Sequence, residues 1–264
     1  MELLGYIASA LIGISLGLIG GGGSILTVPV MVYLFGVSPL LATSYSLFIV
    51  GSTSLIGSVD NFRKGLVSLK AALFFGAASV ITVFATRKFL VPIIPKEIAS
   101  IDGFTITESF LTMLLFGILM LVASISMIRD KSGAGPEKEC SDCIKFFKLL
   151  GYGISIGLVT GLLGAGGGFL LIPALVFLIK LPMKKAVGTS LAIIAMNSLF
   201  GFAGDLGHFT INWTFLLTIT GIAVAGIFIG GLLSKKIPGE KLKKGFGWFV
   251  LAMGLYIIFR EISG

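Results

Sequence analysis

The sequence predicts an all-α polytopic membrane protein built from two inverted repeats. Each repeat is expected to contain a glycine-broken helical segment, re-entrant or discontinuous, and three transmembrane helices. Three observations lead to this prediction: the apolar composition, a glycine-rich block that occurs twice, and the uneven placement of the basic residues.

Composition places most of the chain in lipid. Apolar residues make up 56% of the 264 residues and charged residues only 12%, a balance typical of chains with several membrane spans. Eight apolar runs can be delimited, and the unbroken ones are near the ~20 residues that a helix needs to cross a bilayer. These runs are 3–35, 40–59, 66–85, 110–128, 146–179, 186–203, 213–233 and 246–259.

A glycine-rich block occurs twice within these runs. GLIGGGGSILTVP at residues 17–29 returns as GLLGAGGGFLLIP at residues 161–173. With this offset of 144 residues held fixed, sixteen of the forty-one positions from residue 17 onward are identical, among them Pro29 with Pro173. The repetition indicates an internal duplication, which is common in membrane transporters.

The most polar stretch of the chain separates the two copies. We predict a first membrane repeat over residues 1–130, a cytoplasmic linker over residues 131–145 and a second membrane repeat over residues 146–264. The linker carries the only CxxC, Cys140 and Cys143. We interpret these cysteines as a reduced pair, with redox sensing as the alternative.

The basic residues indicate how the repeats sit in the membrane. If every apolar run crosses once, the 20 Lys and Arg residues divide eleven to nine. If each glycine-broken run instead enters and returns as a hairpin, sixteen fall on one face and only Arg87, Lys88, Lys96 and Arg260 on the other. That split satisfies the positive-inside rule. Three spans per repeat then invert the second repeat, and both termini are expected to be extracytoplasmic.

The glycine breaks are the first candidate for a binding site. A break inside a membrane leaves backbone groups without helical partners, so it must line a cavity or lie within protein. Helices expected to begin at Ser24 and Phe169 would point free amides at the breaks and favour an anion, without a buried Lys or Arg. The alternative is that the glycines only permit close helix packing. The candidate ligand-binding residues here are Gly22, Gly23, Ser24, Gly166, Gly167 and Gly168.

The helix after each break carries many hydroxyl groups. Hydroxyls and an amide can donate hydrogen bonds to the oxygens of a small anion. Alternatively, each Ser or Thr bonds only to the backbone of its own helix. The candidates are Thr43, Ser44, Ser46 and Thr53 in the first repeat and Thr189, Ser190 and Asn197 in the second.

Three ionisable residues are candidates for proton or sodium coupling. Asp60 and Asp205 close the helices that follow the breaks, and His208 lies just beyond the second. Acids at membrane depth are default candidates for ion coupling. For Asp60 a salt bridge to Arg63 or Lys64 is the favoured alternative. For Asp205, which has no basic residue nearby in sequence, a structural role remains equally open.

Several functions are excluded or disfavoured by composition. The net charge of +8 arises from basic residues between the apolar runs, which determine topology and do not indicate nucleic-acid binding. The chain has one His and two Cys, too few for a metal set or a catalytic constellation. We therefore expect no enzyme activity and no cofactor. The expected partners are a small anionic substrate and the lipid bilayer, and the sequence does not define an oligomeric state.

Four features together resemble the sulfite exporter TauE/SafE family, also called the toluene sulfonate uptake permease family. They are the glycine-broken segment ending in Pro, the A-x-x-x-S-L helix after it, the basic turn NFRKG and the repetition of the block. The resemblance covers almost the whole chain. It implies a multi-pass inner-membrane secondary transporter of sulfite or organosulfonates such as sulfoacetate. We expect an exporter, with a passive anion channel or an importer as alternatives.

Overall fold

The computed structural model describes residues 2–95, 97–101, 104–129, 144–164, 166–178, 181–233 and 239–263. Within this part of the chain, α-helices account for nearly all of the regular structure. In chain order they are α1 (Glu2–Ile19), α2 (Thr27–Tyr33), α3 (Pro39–Arg63), α4 (Leu69–Ala85), α5 (Glu108–Arg129), α6 (Ile144–Leu163), α7 (Gly168–Leu178), α8 (Met183–Asp205), α9 (Trp213–Leu233) and α10 (Gly239–Ser263).

Five segments in the described ranges are long and apolar enough to cross a membrane. They are Pro39–Arg63, Leu69–Ile93, Glu108–Ile125, Lys184–Asp205 and Trp213–Leu233. Large apolar side chains on the outward faces of these helices are exposed, for example Leu73, Ile81 and Phe228. Such side chains are stable in contact with lipid, so the fold is that of a multi-pass membrane protein.

The first glycine-broken run folds back on itself. A Cβ added at Gly5, near the start of α1, would lie 2.7 Å from Cε1 of Phe35, which follows α2, and the Phe35 and Tyr6 rings are in edge contact with their centroids 5.9 Å apart. Near the tip, a Cβ at Gly23 would lie 2.5 Å from the Leu16 nitrogen. The two arms therefore run antiparallel, as a hairpin.

The two helices after the breaks begin at different residues from those predicted. In the first repeat a 3₁₀-helix, Gly21–Leu26, contains Ser24, and α2 begins only at Thr27 and has 7 residues. In the second repeat α7 begins at Gly168, one residue before Phe169. Consecutive glycines favour the tighter 3₁₀ turn because they bring no side chains to eclipse. A helix as short as α2 provides little macrodipole for an anion.

Two hydrogen bonds recur at the 144-residue offset. The Ser68 backbone N–H donates to Thr189 Oγ1, and the Asn212 backbone N–H donates to the Tyr45 hydroxyl, both at 2.9 Å. Ser68 and Asn212 occupy equivalent positions, as do Tyr45 and Thr189. Each repeat therefore anchors the turn before its next helix on the hydroxylated helix of the other repeat.

The equivalent helices α3 and α8 pack antiparallel at the centre of the molecule. A Cβ added at Gly201 would lie 3.2 Å from a Leu47 methyl, and one added at Gly57 would lie 3.5 Å from a Leu191 methyl. The early part of each helix thus meets the late part of the other. Small residues at these crossings let the two backbones approach closely.

Two further regions lie outside the predicted membrane helices: residues 91–109 and the linker between the two repeats. Residues 91–109 lie between two of the predicted apolar runs, and there Val91–Ile93 forms a 3₁₀ turn and the strands β1 (Glu97–Ile101) and β2 (Phe104–Thr107) pair antiparallel. The fold is therefore not all-α, because it also contains this small antiparallel pair of strands. Residues 130–143, which include most of the predicted linker 131–145 with Cys140 and Cys143, lie outside the described residues.

Candidate functional site

The two glycine breaks meet each other at the centre of the fold. A Cβ added at Gly21 would lie 2.6 Å from the Gly168 carbonyl carbon, and one added at Gly168 would lie 2.6 Å from the Gly21 carbonyl carbon. Gly166 and Gly167 have φ angles of 65° and 68°, a region that other residues rarely adopt. The breaks therefore bring backbone against backbone, where no side chain fits.

Each break also packs on the first turns of the hydroxylated helix of the other repeat. A Cβ at Gly164 would lie 2.6 Å from Thr43 Cα, and one at Gly20 would lie 2.8 Å from a Val187 methyl. Thr43 and Val187 are equivalent at the 144-residue offset. The breaks, α3 and α8 together form one central cluster.

The predicted polar side chains are buried in this cluster. Several of them bond to nearby backbone: Ser24 donates to the Gly21 carbonyl at 2.7 Å, Thr53 to Ile49 at 2.6 Å, and Ser190 to Val187 at 2.9 Å. Their hydroxyl protons are therefore engaged, although their oxygens can still accept. The side chains fully excluded from solvent are Ser24, Thr43, Ser44, Ser46, Thr53, Thr189, Ser190 and Asn197.

Other buried polar atoms of the cluster have no hydrogen-bond partner among the described residues. They include the hydroxyls of Ser46, Ser54, Thr160 and Ser198 and the Asn197 side-chain oxygen. Buried polar groups are rarely left unpaired unless water or a ligand bonds to them.

One unpartnered hydroxyl lies directly beside a glycine break. A Cβ added at Gly166 would lie 2.8 Å from Ser198 Oγ. Ser198 and Ser54 are equivalent at the 144-residue offset, and the predicted set of site residues does not include them. Their burial without partners is what adds them to the candidate site.

A buried arginine, missed at the sequence level, completes the polar cluster. Arg87 is fully buried, and its Nη1 donates hydrogen bonds to Thr43 Oγ1 at 2.9 Å and to Asp205 Oδ2 at 3.1 Å. The prediction placed Arg87 among the charges outside the membrane and left Asp205 without a basic neighbour. The structure instead buries Arg87 and pairs it with Asp205. The cluster therefore contains a buried arginine, although none was expected there.

The helix that carries Arg87 is longer than predicted. A single π-helical turn, Thr86–Leu90, continues α4 past Ala85, and such turns often occur at functional sites. A Cβ added at Gly204 of α8 would lie 3.1 Å from Arg87 Cβ, so the missing side chain there lets the arginine approach. The apolar residues after Lys88 were the sequence signal for this extension.

Two pockets lie at opposite ends of α3. One, of about 250 Å³, is lined by Leu40 at the start of α3 and by the polar residues Arg87, Glu108, Asp205 and His208. The other, of about 400 Å³, is lined near the end of α3 by residues that include Ser58, Phe62 and Arg63. The central cluster thus has a recess on either side of it.

The three coupling candidates fall in different places. Asp205 is fully buried. His208 is exposed at the 250 Å³ pocket, and its backbone N–H donates to the Asp205 carbonyl at 3.1 Å. Asp60 lies at the far end of α3, exposed, in an ion pair with Lys64, which is one of the two partners proposed from the sequence.

Helices broken inside the membrane, antiparallel central helices and a buried polar cluster are typical of membrane transporters. The sulfite exporter TauE/SafE family profile matches residues 6–257, and the chain belongs to this family. Its relatives carry transporter names, which indicate a membrane transporter and not an enzyme.

Similar proteins span most of the chain. It is 30% identical to a "probable membrane transporter protein" of Xylella fastidiosa (strain Temecula1) over 258 residues, 96% of this chain and 94% of that protein. It is 25% identical to the "probable membrane transporter protein YunE" of Bacillus subtilis (strain 168) over 271 residues, 93% of each chain. No solved structure matches the chain significantly.

Because the two breaks are in backbone contact, we predict that one added methyl group lowers the stability of the protein strongly. Gly168→Ala should lower the free energy of unfolding by about 1–3 kcal/mol, because the new Cβ overlaps the Gly21 backbone. Thermal unfolding of the purified protein, followed by tryptophan fluorescence, measures the effect. The matched control is Gly151→Ala in α6, where an added Cβ meets no atom within 4 Å. Equal midpoints for the two variants would contradict the close contact.

Proposed function

We propose that the protein is a secondary transporter that moves small sulfur-containing anions, such as sulfite or organosulfonates of the sulfoacetate type, across the inner membrane. The substrate lies between the glycine breaks and the hydroxylated helices. The observation that carries this proposal is the meeting of the two breaks, Gly21 against Gly168, together with the buried, unpartnered hydroxyl of Ser198 against Gly166. Close backbone approach without side chains, with donors nearby, suits a small polar ligand.

An inverted-repeat architecture is part of the proposal. The antiparallel packing of α3 on α8, with Gly57 facing Leu191 and Gly201 facing Leu47, supports repeats of opposite orientation. In such transporters the substrate site lies at the repeat interface and opens alternately to either side. The two pockets at opposite ends of α3 are suited to be the two access routes.

The hydrogen-bond donors and the description of the family support a sulfur-containing anion as the substrate. Sulfite and sulfonate oxygens accept hydrogen bonds from several directions, and the hydroxyls of Ser46, Ser54 and Ser198 are free to donate. The family is described as one of sulfite exporters. Export is also favoured by a basic cytoplasmic face, which would raise the anion concentration at the entrance.

Coupling to an ion gradient is assigned to Asp205. Its carboxylate is buried between Arg87 and a pocket that also contains His208 and Glu108. Intramembrane acids of this kind relay protons or bind sodium in transporters. The alternative candidate Asp60 is exposed and paired with Lys64, and is less suited to the role.

Flux into liposomes tests the function. Purified protein in vesicles should accumulate labelled sulfite or sulfoacetate when a proton or sodium gradient is imposed, because transport would be coupled. Taurine, which carries a compensating ammonium group, should be taken up less. Flux that is independent of both the proton and the sodium gradient would indicate a passive channel instead. No flux of any sulfur anion would refute the proposed substrate class.

Cysteine labelling tests the proposed orientation. In a background with Cys140 and Cys143 replaced by Ser, a membrane-impermeant maleimide should label Ser263→Cys in intact cells, since both termini are placed outside the cytoplasm. The same reagent should label Ser132→Cys only after the cells are opened. The reverse pattern would place the basic face outside and contradict the assigned topology.

A further inference from the structure

Arg87 has unused hydrogen-bonding capacity that its ion pair does not explain. Its Nη1 bonds to Thr43 and Asp205, but its Nε and Nη2 have no partner among the described residues, although the side chain is fully buried. A purely structural ion pair would be expected to have these groups satisfied, because each unpaired buried donor costs free energy.

The unused atoms form a recognisable binding element. Nε and Nη2 make up one edge of the planar guanidinium, and such an edge binds two oxygens of an oxyanion side by side. Arg87 is one of the residues that line the 250 Å³ pocket. An anion entering that pocket would meet it.

Arg87 is also connected to the glycine breaks. Its partner Thr43 is the residue on which Gly164 packs. The guanidinium therefore stands between the pocket and the central cluster, at the point where α3, α8 and the extension of α4 converge. An anion bound to Arg87 would be separated from the second glycine break only by Thr43.

We propose that Arg87 binds the charged oxygens of the transported anion, and that Asp205 is an internal anion that competes with it for the same guanidinium. The inference rests on the proposed transport of small anions. An anion site needs a positive charge, and in this proposal Arg87, which lies outside the glycine breaks, supplies it. Glu108 and His208, which line the same pocket, are the other titratable groups that would influence this competition.

Competition predicts opposite effects at the two partners. Asp205→Asn removes the competing charge and leaves Arg87 in place, so the anion should bind about tenfold more tightly, whereas a structural ion pair would be damaged by this change. Arg87→Gln in the Asp205→Asn background keeps a neutral polar pair and avoids an uncompensated buried charge. This double variant should bind about tenfold to a hundredfold more weakly than Asp205→Asn alone.

Two measurements test these effects. The first is the thermal stabilisation of the detergent-purified protein by sulfite, sulfoacetate, phosphate or acetate, with chloride as the reference salt. The second is the KM for sulfite counterflow in liposomes loaded with unlabelled sulfite, which needs no imposed ion gradient and so does not depend on the coupling assigned to Asp205. Lys88→Gln is the matched control, because it removes the same charge from the next residue, which is exposed. It should leave both measurements unchanged.

The outcomes separate this inference from the proposed function. If the double variant binds anions as tightly as Asp205→Asn, or if Asp205→Asn weakens binding, the assignment to Arg87 is overturned. If phosphate or acetate bind with the expected pattern but sulfite and sulfoacetate neither bind nor move, Arg87 is an anion site and the sulfur substrate is wrong. Absence of binding by every oxyanion in both the wild type and Asp205→Asn also overturns the inference.

Discussion

Backbone hydrogen bonding in hydrocarbon is the constraint on which this fold depends. A helix interrupted in a membrane exposes N–H and C=O groups that lipid cannot satisfy, so an interruption must be enclosed by protein. Here the two interruptions enclose each other, with Gly21 against Gly168. The contact is possible only because neither residue has a side chain. The antiparallel packing of α3 on α8 surrounds the breaks and keeps them away from lipid.

The same enclosure accounts for the polar character of the centre. Once the breaks are buried, their neighbours can include hydroxyls, an amide and even an ion pair without contact with lipid. The Arg87–Asp205 pair is fully buried, and burying charges is costly unless their partners and surroundings repay it. A buried pair that leaves part of the guanidinium unbonded is therefore better explained by binding than by stability. In transport, the substrate would bond to the buried donors that have no partner among the described residues.

Local sequence patterns were sufficient to predict the breaks and the hydroxylated helices, and the placement of the basic residues along the whole chain predicted the hairpin of the first broken run. Glycine runs and the hydroxyl groups around Ser46 or Ser190 are short-range features of the sequence, and both occur twice at the 144-residue offset. Arg87 could not be found this way. It followed an apolar run and preceded Lys88, like the charges that flank a membrane span, and only the π turn and the missing side chain at Gly204 bring it inside. Its pairing with Asp205 joins residues 118 positions apart, and no short-range pattern records such a contact.

The central claim is that an oxyanion binds where the two repeats meet, with Arg87 as its positive partner. Locating a heavier analogue, such as selenite, by anomalous scattering in crystals of the Asp205→Asn protein tests this claim most directly. The account predicts an anomalous peak within about 4 Å of the Arg87 guanidinium, as expected for an oxyanion bonded to Nε and Nη2. A peak only at surface lysines, with the guanidinium unoccupied, would contradict it.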